Sequence, residues 1–596
     1  MLLLVALASC SACGKSDAAA DAAASIDPPV PAPEGLLAEV VVIDPNGSWG
    51  KMQRGTGGAI SLMPMTLGGL VTSLASLDPS LGPEIDGTAP AFGAVATGPS
   101  GMESVSYALA VHLLDERRTR GTLFDGPNAR YTARDAAGMT LLVAKGGAGA
   151  APVSPVAAAI SRGGYLLVAR NEAELTRLGP YVARTLPARP RPVGSIAIEV
   201  PRAAFTGPLS PYLASLWASF RSDMERQDAR MREAHGGKAP DFGDPRAIVE
   251  MSDAFVKDKM GILGDLDRAR LVIDPIDDGV RIVASLVPVA GDGQAARAVR
   301  AMHVGDASPL LDVPKAASMA LLARSDAEER RESARDASQA IAKALGDRID
   351  ADGREKLEQA LMDWAKGRGD FVSASWLGGD RSGLLVRAPA SDAESVSRAM
   401  HGLVNLADKP AFKGPLETFL QVRQISTSQV EVPGLGKTEL VTFTRGEPKA
   451  VGTAQMGASQ KGRTPPAGEP RGAASAPPRG GPPKGGMAWA LSGNVSDSAS
   501  AGVFVAAGED PIAILRGVSE NPSKAGEDLD FAGAVKRLGS NVTLALVVRR
   551  AAFDPGRAAG GLALVVGWGR EGTDARAYLE ASHTFVRELI RRSGGF

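Results

Sequence analysis

Cysteine is almost absent from this chain. Of 596 residues two are cysteines, Cys10 and Cys13, and both lie among the first few positions. The rest of the chain therefore has no thiol nucleophile, no cysteine ligand for a metal ion and no disulfide bond. The five histidines are scattered and show no pair at the spacing of zinc ligands: His112, His235, His303, His401 and His583.

An excess of charge of either sign is also missing. Lys and Arg number 66 and Asp and Glu number 67, which leaves a formal net charge of -1. A chain without a basic field is not expected to bind nucleic acid. No run of ~18 apolar residues occurs in the body of the chain, so no transmembrane helix is predicted. The 44% of apolar residues still suffices to fill the cores of several domains.

The familiar catalytic and cofactor motifs fail on inspection. Gly434 to Thr438 ends like a phosphate-binding loop, but Glu431 stands where the first glycine of that motif belongs, and a strand pattern follows. Asp350 to Gly353 looks like part of a calcium-binding loop, although Arg348 and Gln359 occupy two ligand positions, which favours a plain helix connection. The sequence has no nucleophile elbow. We therefore predict no catalytic residue, no cofactor and no metal site, while acid-base pairs built from distant residues remain open.

What the chain does have begins at its N-terminus. Leu2 to Ala8 form an apolar leader, far shorter than the ~20 residues that span a bilayer, and it ends in Leu7-Ala8-Ser9-Cys10. This pattern resembles the lipobox of bacterial lipoproteins. The resemblance implies a signal peptide over residues 1–9, removal of that peptide, and lipid attachment, including palmitate, at Cys10. Cys13 is the second candidate for the modified residue.

The same resemblance implies a place in the cell envelope. Ser11 follows the lipidated position, whereas an Asp there commonly holds such lipoproteins in the inner membrane, so we expect an outer-membrane lipoprotein on the periplasmic or surface face. No Lys or Arg precedes the apolar leader that begins at Leu2, although such leaders usually start with a positive charge. A start codon upstream of Met1 is therefore left open. The body resembles large uncharacterised envelope lipoproteins and no family of known activity.

A unit of strand, polar cap and amphipathic helix recurs along the chain. In its first clear copy, Asn171 follows a strand pattern and Glu174 stands three residues later, as in a capping box. Five similar units have their caps at Asp292, Ser325, Ser391, Asp510 and Thr573. A hairpin signal, Asp277-Asp278-Gly279, lies between two strand patterns. Together these predict an α+β fold of antiparallel sheets with helices on one face.

Two related halves are predicted, residues 35–303 and 312–596, after a flexible tether over residues 10–34 that is rich in Ala, Asp and Pro. The run from Gly194 to Phe205 is echoed by the run from Thr543 to Phe553, and both end in Arg-Ala-Ala-Phe. Convergent patterning in an alanine-rich chain is the alternative to duplication.

A Pro- and Gly-rich insert, residues 446–486, interrupts the second half and is predicted to be disordered, because it has almost no large apolar residues. The insert region is locally basic, with Arg445, Lys449, Lys461, Arg463, Arg471, Arg479 and Lys484 against Glu447 and Glu469. A plain loop and a contact with an anionic envelope polymer or lipid headgroup both fit this composition.

A long helix is predicted between Leu209 and Met231. Its apolar stripe, which includes Leu216, Trp217 and Phe220, is expected to lie in the core.

Three functions fit these observations. The leading hypothesis is a lipid-anchored envelope protein with a binding or scaffolding role and no recognisable catalytic site. The alternatives are an envelope hydrolase with a dispersed acid-base site and a carrier of apolar molecules. Turnover of generic esters, glycosides or peptides would favour the hydrolase, and copurified lipid would favour the carrier.

Overall fold

A computed structural model describes most of the chain. The described residues are 27–55, 64, 66–125, 129–145, 156–234, 245–378, 382–407, 409–413, 422–445, 484–492, 502–520, 523–553 and 561–592. The chain divides into two compact units. The first unit contains residues 1–223, 253–308 and 529–596, and the second contains residues 224–252 and 309–528.

The described part of the first unit contains thirteen strands, and each neighbouring pair is antiparallel. In spatial order they are β4 (Tyr131–Ala136), β5 (Met139–Ala144), β6 (Ala157–Ser161), β7 (Tyr165–Ala169), β3 (Gly101–His112), β2 (Ala91–Gly98), β1 (Leu36–Val42), β8 (Ile196–Pro201), β9 (Leu266–Ile276), β10 (Gly279–Pro288), β20 (Asp574–Ser582), β19 (Leu562–Glu571) and β18 (Val542–Arg549).

The second unit has seven described strands, which are again antiparallel throughout. Their spatial order is β11 (Ala317–Arg324), β12 (Phe371–Leu377), β13 (Gly383–Pro389), β17 (Gly502–Gly508), β16 (Lys484–Ser492), β15 (Gly436–Arg445) and β14 (Val422–Val432). The α+β class and the antiparallel pairing predicted from the sequence are therefore confirmed.

Helices connect the strands in both units. They are α1 (Pro45–Gly55), α2 (Leu67–Leu74), α3 (Glu116–Arg120), α4 (Glu172–Pro180), α5 (Arg202–Ala204), α6 (Ser210–Ala234), α7 (Pro245–Gly264), α8 (Gln294–Arg300), α9 (Ala327–Leu345), α10 (Ala351–Gly367), α11 (Ala393–Ala407), α12 (Pro511–Glu520), α13 (Leu529–Leu538) and α14 (His583–Arg592). Short helical turns lie between some of them, including residues 181–185 and 550–552.

Helices cover both faces of the first sheet, so the prediction of helices on one face is wrong there. Val40 of β1 belongs to a buried cluster with Leu67 and Val71 of α2. Ala94 of β2 belongs to a different cluster with Leu175 of α4. Successive side chains of a strand point to opposite faces, and the β1–β2 pairing places Val40 and Ala94 on opposite faces of the sheet. Apolar residues on both sides of β1 to β7 made this burial possible.

Two of the predicted helix caps are confirmed. The Asn171 side chain accepts a hydrogen bond from the Glu174 backbone N–H at 2.9 Å, and the Asp510 side chain accepts one from Ala513 at 2.9 Å. Each side chain satisfies one of the amides that a helix start leaves without a partner.

Two other caps lie one residue later than predicted. α9 is capped by Asp326 and not by Ser325, and Asp392, not Ser391, caps α11. The Asp326 carboxylate accepts from two backbone amides at 2.8 Å each. Ser325 and Ser391 are held by backbone contacts to neighbouring segments, which fixes them outside the helices. A carboxylate next to a serine thus took the capping role.

The cap predicted at Asp292 is also wrong. Gly293 precedes α8, and its missing side-chain cap is replaced by Asp265, whose carboxylate accepts from the Ala295 N–H at 3.0 Å. Asp292 pairs instead with Arg300, 2.6 Å away.

The unit predicted from Gly561 to Leu579 is not a strand followed by a helix. Residues 562–571 and 574–582 form the hairpin β19–β20, and Thr573 lies in its turn beside Gly572, whose φ is 60°. The hairpin predicted at Asp277-Asp278-Gly279 is confirmed as the turn between β9 and β10.

Two segment boundaries and the burial of one helix stripe also differ from expectation. Residues 27–34 belong to the predicted tether, but the Val30 N–H donates to Thr185 at 2.9 Å and Asp27 lies 3.2 Å from Arg184. β16 begins at Lys484, inside the predicted insert, while residues 446–483 lie outside the described residues. In α6, Leu216 is 48% exposed and Phe220 is 54% exposed, so this stripe is not the core that its pattern predicted.

Candidate functional site: an apolar face on the first sheet

The strands from β9 to β18 of the first unit carry two rows of apolar side chains on one face. Residues that pair directly across antiparallel strands project to the same face, so the register defines each row. One row reads Ile273, Ile282, Leu579, Val566 and Leu546, and the other reads Leu271, Ala284, Ala577, Trp568 and Leu544. These ten residues are called the apolar face below.

The apolar face is partly open to solvent, although Ile273 at its β9 end packs against the buried cluster that contains Leu67 and Val71. Nine of its members are half-buried, and Leu544 at its β18 end is 40% exposed. α1 lies against β9 and β10, and α14 lies against β10, β20 and β19, yet neither helix closes the rows. A continuous apolar surface that stays open in a folded protein marks a binding surface more often than isolated exposed residues do.

A cation lies beside Trp568, the fourth of the five members of its row. Arg570 lies two residues farther along β19 and therefore on the same face. Its Nη1 donates to the Arg300 carbonyl oxygen at 3.0 Å, and it makes no ion pair with any described residue. The Trp568 indole N–H has no hydrogen-bond acceptor among the described residues. Both residues also line a hollow of about 190 Å³ whose other lining includes Arg537 of α13 and, from the opposite face of the sheet, Arg576 and Tyr578.

The opposite face of the same strands packs Ala545, Val547 and Val565 beneath α13 and carries a cluster of charged groups around Glu580. Glu580 of β20 accepts hydrogen bonds from Arg281 at 3.2 Å, from Arg537 at 2.9 Å and from the Tyr578 hydroxyl at 2.5 Å. Burial alone would raise the pKa of Glu580, but the hydrogen bond from Tyr578 and the charges of Arg537 and Arg281 outweigh it and hold this pKa below its usual value. Burial and the bond to Glu580 raise the pKa of Tyr578. Glu580 is therefore ionised at neutral pH and already has three partners, which suits a structural role better than proton transfer.

A polar cleft of about 450 Å³ lies on this charged face, between α13 and strands β19 and β20. Asp278, Arg550, Arg537 and Glu580 contribute charged groups to its lining. Asp278 pairs with both Arg550 and the Nδ1 atom of His583. An Asp-His pair is one element of a general-base site, but here Arg550 shares the carboxylate.

A third opening, between α2 and strands β3 and β7, is apolar and very small. Leu74, Tyr107 and Leu166 line its volume of about 30 Å³. Sites for small molecules typically have several hundred Å³, so this crevice is a packing defect of the core.

The second unit also exposes apolar side chains on one sheet face. Trp376 of β12 is 49% exposed and Leu321 of β11 is 37% exposed. Trp376 pairs across the strands with Met319 and Leu384, so these side chains share a face. An open apolar surface is therefore present in each unit.

The structure assigns plain roles to the motif-like segments. Gly434 to Thr438 form the tight β14–β15 turn and the start of β15, with no helix to hold a phosphate. Asp350 caps α10 through a 2.7 Å hydrogen bond from the Gly353 N–H, and Asp352 pairs with Lys356 and Lys409. No group of three or more His, Cys, Asp or Glu side chains in the described part of the chain is arranged to hold a metal ion.

The histidines of the described ranges contact different partners. His112 lies 3.6 Å from Asp86, His401 packs against Trp489 with ring centroids 5.1 Å apart, and His583 contacts Asp278. Cys10, the lipid-attachment residue predicted from the sequence, and His235 lie outside the described residues.

Sequence reasoning missed Trp568, Arg570 and Glu580. A usable signal was present, because residues 575–582 alternate strictly between apolar and polar side chains, as a half-buried strand does. That alternation separates the apolar face from the charged one.

Comparisons with models of protein families, with curated proteins and with solved structures find no match to this chain. Among the described helices, none is long and apolar enough to cross a bilayer.

Proposed function

We propose that this chain is a lipid-anchored protein of the bacterial cell envelope that binds or scaffolds another component there and has no recognisable catalytic site. The lipobox pattern at Leu7 to Cys10 supports the anchor. The open apolar face supports a binding role, and it is the observation that carries the proposal. The saturated partners of Glu580 speak against an acid-base centre on the opposite face.

The anchor is tested by changing Cys10 to Ala in the full chain. Radiolabelled palmitate is expected to enter the wild-type protein in a bacterial host and to be absent from Cys10→Ala. Cys13→Ala is the matched control and is expected to keep the label. Label that persists in Cys10→Ala and is lost in Cys13→Ala would move the anchor to Cys13. Fractionation should recover the wild-type protein with the outer membrane, and recovery mainly with the inner membrane would contradict that location.

The apolar face is tested with an apolar dye. Leu544→Asp is expected to lower binding of anilinonaphthalene sulfonate by roughly fivefold, which corresponds to about 1 kcal/mol of lost apolar contact. The fold should survive because Leu544 is already 40% exposed. Leu529→Asp is the control, since Leu529 is 87% exposed on α13, which packs on the charged face. Equal dye binding by wild type and Leu544→Asp would remove the apolar face from the proposal.

We also propose that the two halves of the chain arose by duplication. The order β1–β2–β3–β7–β6–β5–β4 in the first unit has the same connectivity as β11–β12–β13–β17–β16–β15–β14 in the second. The echoed Arg-Ala-Ala segments form short helical turns after β8 and after β18, and each is followed in the chain by a hairpin.

Two alternatives keep specific support. The width of the apolar face favours a carrier of apolar molecules as a form of the binding role. The contact of Asp278 with His583 beside a 450 Å³ cleft is the feature that an envelope hydrolase would need. A basic contact of the insert with an anionic envelope polymer concerns residues 446–483, outside the described part.

A further inference from the structure

We infer that the helix pair α6–α7 closes over the apolar face when no ligand is bound there, so that the ligand and the helix pair compete for one surface. This inference rests on the proposed binding role of the apolar face and names how that role is regulated. It is carried by a recurring arrangement of strands and helices, by an exposed stripe on α6 and by the joints at the base of the helix pair.

The neighbouring strands β8 and β9 are connected through the two helices α6 and α7, and the same arrangement occurs twice more in the chain. β1 and β2 are connected through α1 and α2, and β11 and β12 are connected through α9 and α10. In each case the second strand also pairs with the strand that follows it, which is β10, β3 or β13. The pair α6–α7 therefore has two counterparts within the same chain.

Both counterparts pack on their sheets. Leu67 of α2 belongs to one buried cluster with Val40 of β1. Trp364 of α10 packs against the buried cluster that contains Ala388 of β13. A helix pair in this position is thus normally the cover of the strands that it connects.

The apolar face lies on the side of the sheet that such a cover occupies. Val40 pairs directly with Ile198 of β8, and Ile198 pairs with Leu271 of β9. Directly paired residues project to the same side, so α2 and the apolar face share one side of the sheet. The side on which the counterpart α2 packs is therefore the side that is open at β9 to β18.

α6 exposes apolar side chains where a covering helix would pack. Leu216 is 48% exposed and Phe220 is 54% exposed. Next to them, the Trp217 indole N–H donates to Asp253 of α7 at 2.9 Å, which ties the two helices to each other. The stripe and the apolar face both belong to the first unit. A single contact between them would remove both apolar surfaces from water.

The base of the helix pair already lies at the border of the apolar face. Leu209, just before α6, and Leu263, near the end of α7, pack with Ala269 of β9 around one buried cluster. Ala269 lies two residues before Leu271 and so projects to the same side. From Leu209 to Phe220 a helix extends ~16 Å, and five strands at ~4.8 Å span roughly 19 Å. The stripe of α6 therefore has the length needed to cross the rows.

Both joints of the helix pair contain a glycine. Gly207 precedes α6 with φ -106° and ψ -110°, a conformation outside the regions open to residues with a Cβ atom. Gly264 is the last residue of α7. A Cβ atom at either position would meet no other part of the chain within 4 Å. The pair is thus joined to the sheet at two positions that can accommodate a change of backbone direction.

Cross-linking tests closure directly, because the full chain carrying Cys10→Ala and Cys13→Ala has no other cysteine. Phe220→Cys and Leu544→Cys are introduced together, and a short bismaleimide is added. The control combines Phe220→Cys with Lys536→Cys, since Lys536 is exposed on α13, which packs on the opposite face. Closure predicts an intramolecular cross-link that forms at least roughly tenfold faster in the first pair than in the control.

Dye binding tests the competition. Phe220→Asp weakens the apolar contact of α6 and is expected to raise binding of anilinonaphthalene sulfonate roughly threefold, because the apolar face is then open for more of the time. The loss of an exposed phenylalanine by itself would lower dye binding, so the direction of the change separates closure from a passive stripe. Leu529→Asp, on α13, should not raise the signal, and thermal unfolding checks that each variant is folded.

Two results would overturn closure. One is an equal rate of cross-linking in the two cysteine pairs together with a lower or unchanged dye signal for Phe220→Asp. The other is a cross-link between two chains in place of one within a chain, which would assign the apolar face to a contact between copies. If Leu544→Asp still lowers dye binding in the first case, the proposed binding role stands without the closure. If Leu544→Asp has no effect either, the proposed function of the apolar face fails as well.

Discussion

At the scale of single residues, the molecule stabilises buried carboxylates by giving each one several donors. Glu580 is bonded to two arginines and to Tyr578. Glu39, which is 8% exposed, is similarly bonded to the Tyr181 hydroxyl and to Arg189. An unpaired buried carboxylate would be strongly destabilising, whereas one with a complete set of partners fixes the packing around it.

Glu580→Gln is expected to destabilise the first unit by about 2 kcal/mol at neutral pH, because it leaves Arg281 and Arg537 without their carboxylate. The folded-state pKa of Glu580 lies below its unfolded value of ~4.3, so its contribution is present above that pH and is lost as the pH falls through the folded pKa. The difference between wild type and Glu580→Gln should therefore narrow below about pH 4. Urea unfolding followed by tryptophan fluorescence at several pH values measures this difference in the free energy of unfolding.

Glu571→Gln is the control for this experiment. Glu571 is 67% exposed and pairs with Arg576 at 2.8 Å, so its removal should change stability by less than about 0.5 kcal/mol. A Glu580→Gln difference that stays constant with pH would show that the carboxylate charge is not the source of its effect.

At the scale of elements, hairpins organise the sheets and determine where insertions are tolerated. Thr444 of β15 pairs directly with Lys484 of β16, so the ends of these two strands lie opposite each other. A hairpin with such ends can be closed by a short turn. The register is held by seven paired positions, from Thr438 with Ala490 to Thr444 with Lys484.

Replacing residues 446–483 by a four-residue Gly-Ser link is therefore expected to leave the β15–β16 pairing intact. Shortening about forty residues to four is roughly three doublings at ~0.6 kcal/mol each, so stability should change by at most about 2 kcal/mol. Thermal unfolding measures this change. Trypsin should cut the wild-type chain first after the Lys and Arg residues of this segment and should spare the shortened chain.

If deletion unfolds the second unit, or if the segment resists trypsin in the wild-type protein, residues 446–483 support the strands and are not a dispensable insert.

At the scale of the whole molecule, one sheet segment has two different faces. From β9 to β18 one side is apolar and open, and the other carries ion pairs and packs against α13. A soluble sheet normally directs its apolar side into a core. An open apolar side lowers the solubility of the protein unless a ligand or partner covers it. This is the physical basis for the proposed binding role.

Local patterns in the sequence determined much of the architecture. Strand alternation and the Asp-Asp-Gly turn were enough for antiparallel α+β structure and for the β9–β10 hairpin. Asn171 and Asp510 were identified as caps because capping depends on atoms within three residues of each other. Where two capping residues stood side by side, as at Ser325 and Asp326, the contacts of Ser325 with other segments decided between them.

The candidate site was beyond the reach of local patterns. Trp568 and Leu544 share a row because β18 and β19 pair in one register, and Glu580 meets Arg281 because β10 pairs with β20 almost three hundred residues away in the chain. The stripe of α6 shows the converse, since Leu216 and Phe220 have a core-like pattern and are about half exposed. Period and propensity specify which side of an element is apolar. Whether that side is covered depends on long-range packing, so only the tertiary structure decided it.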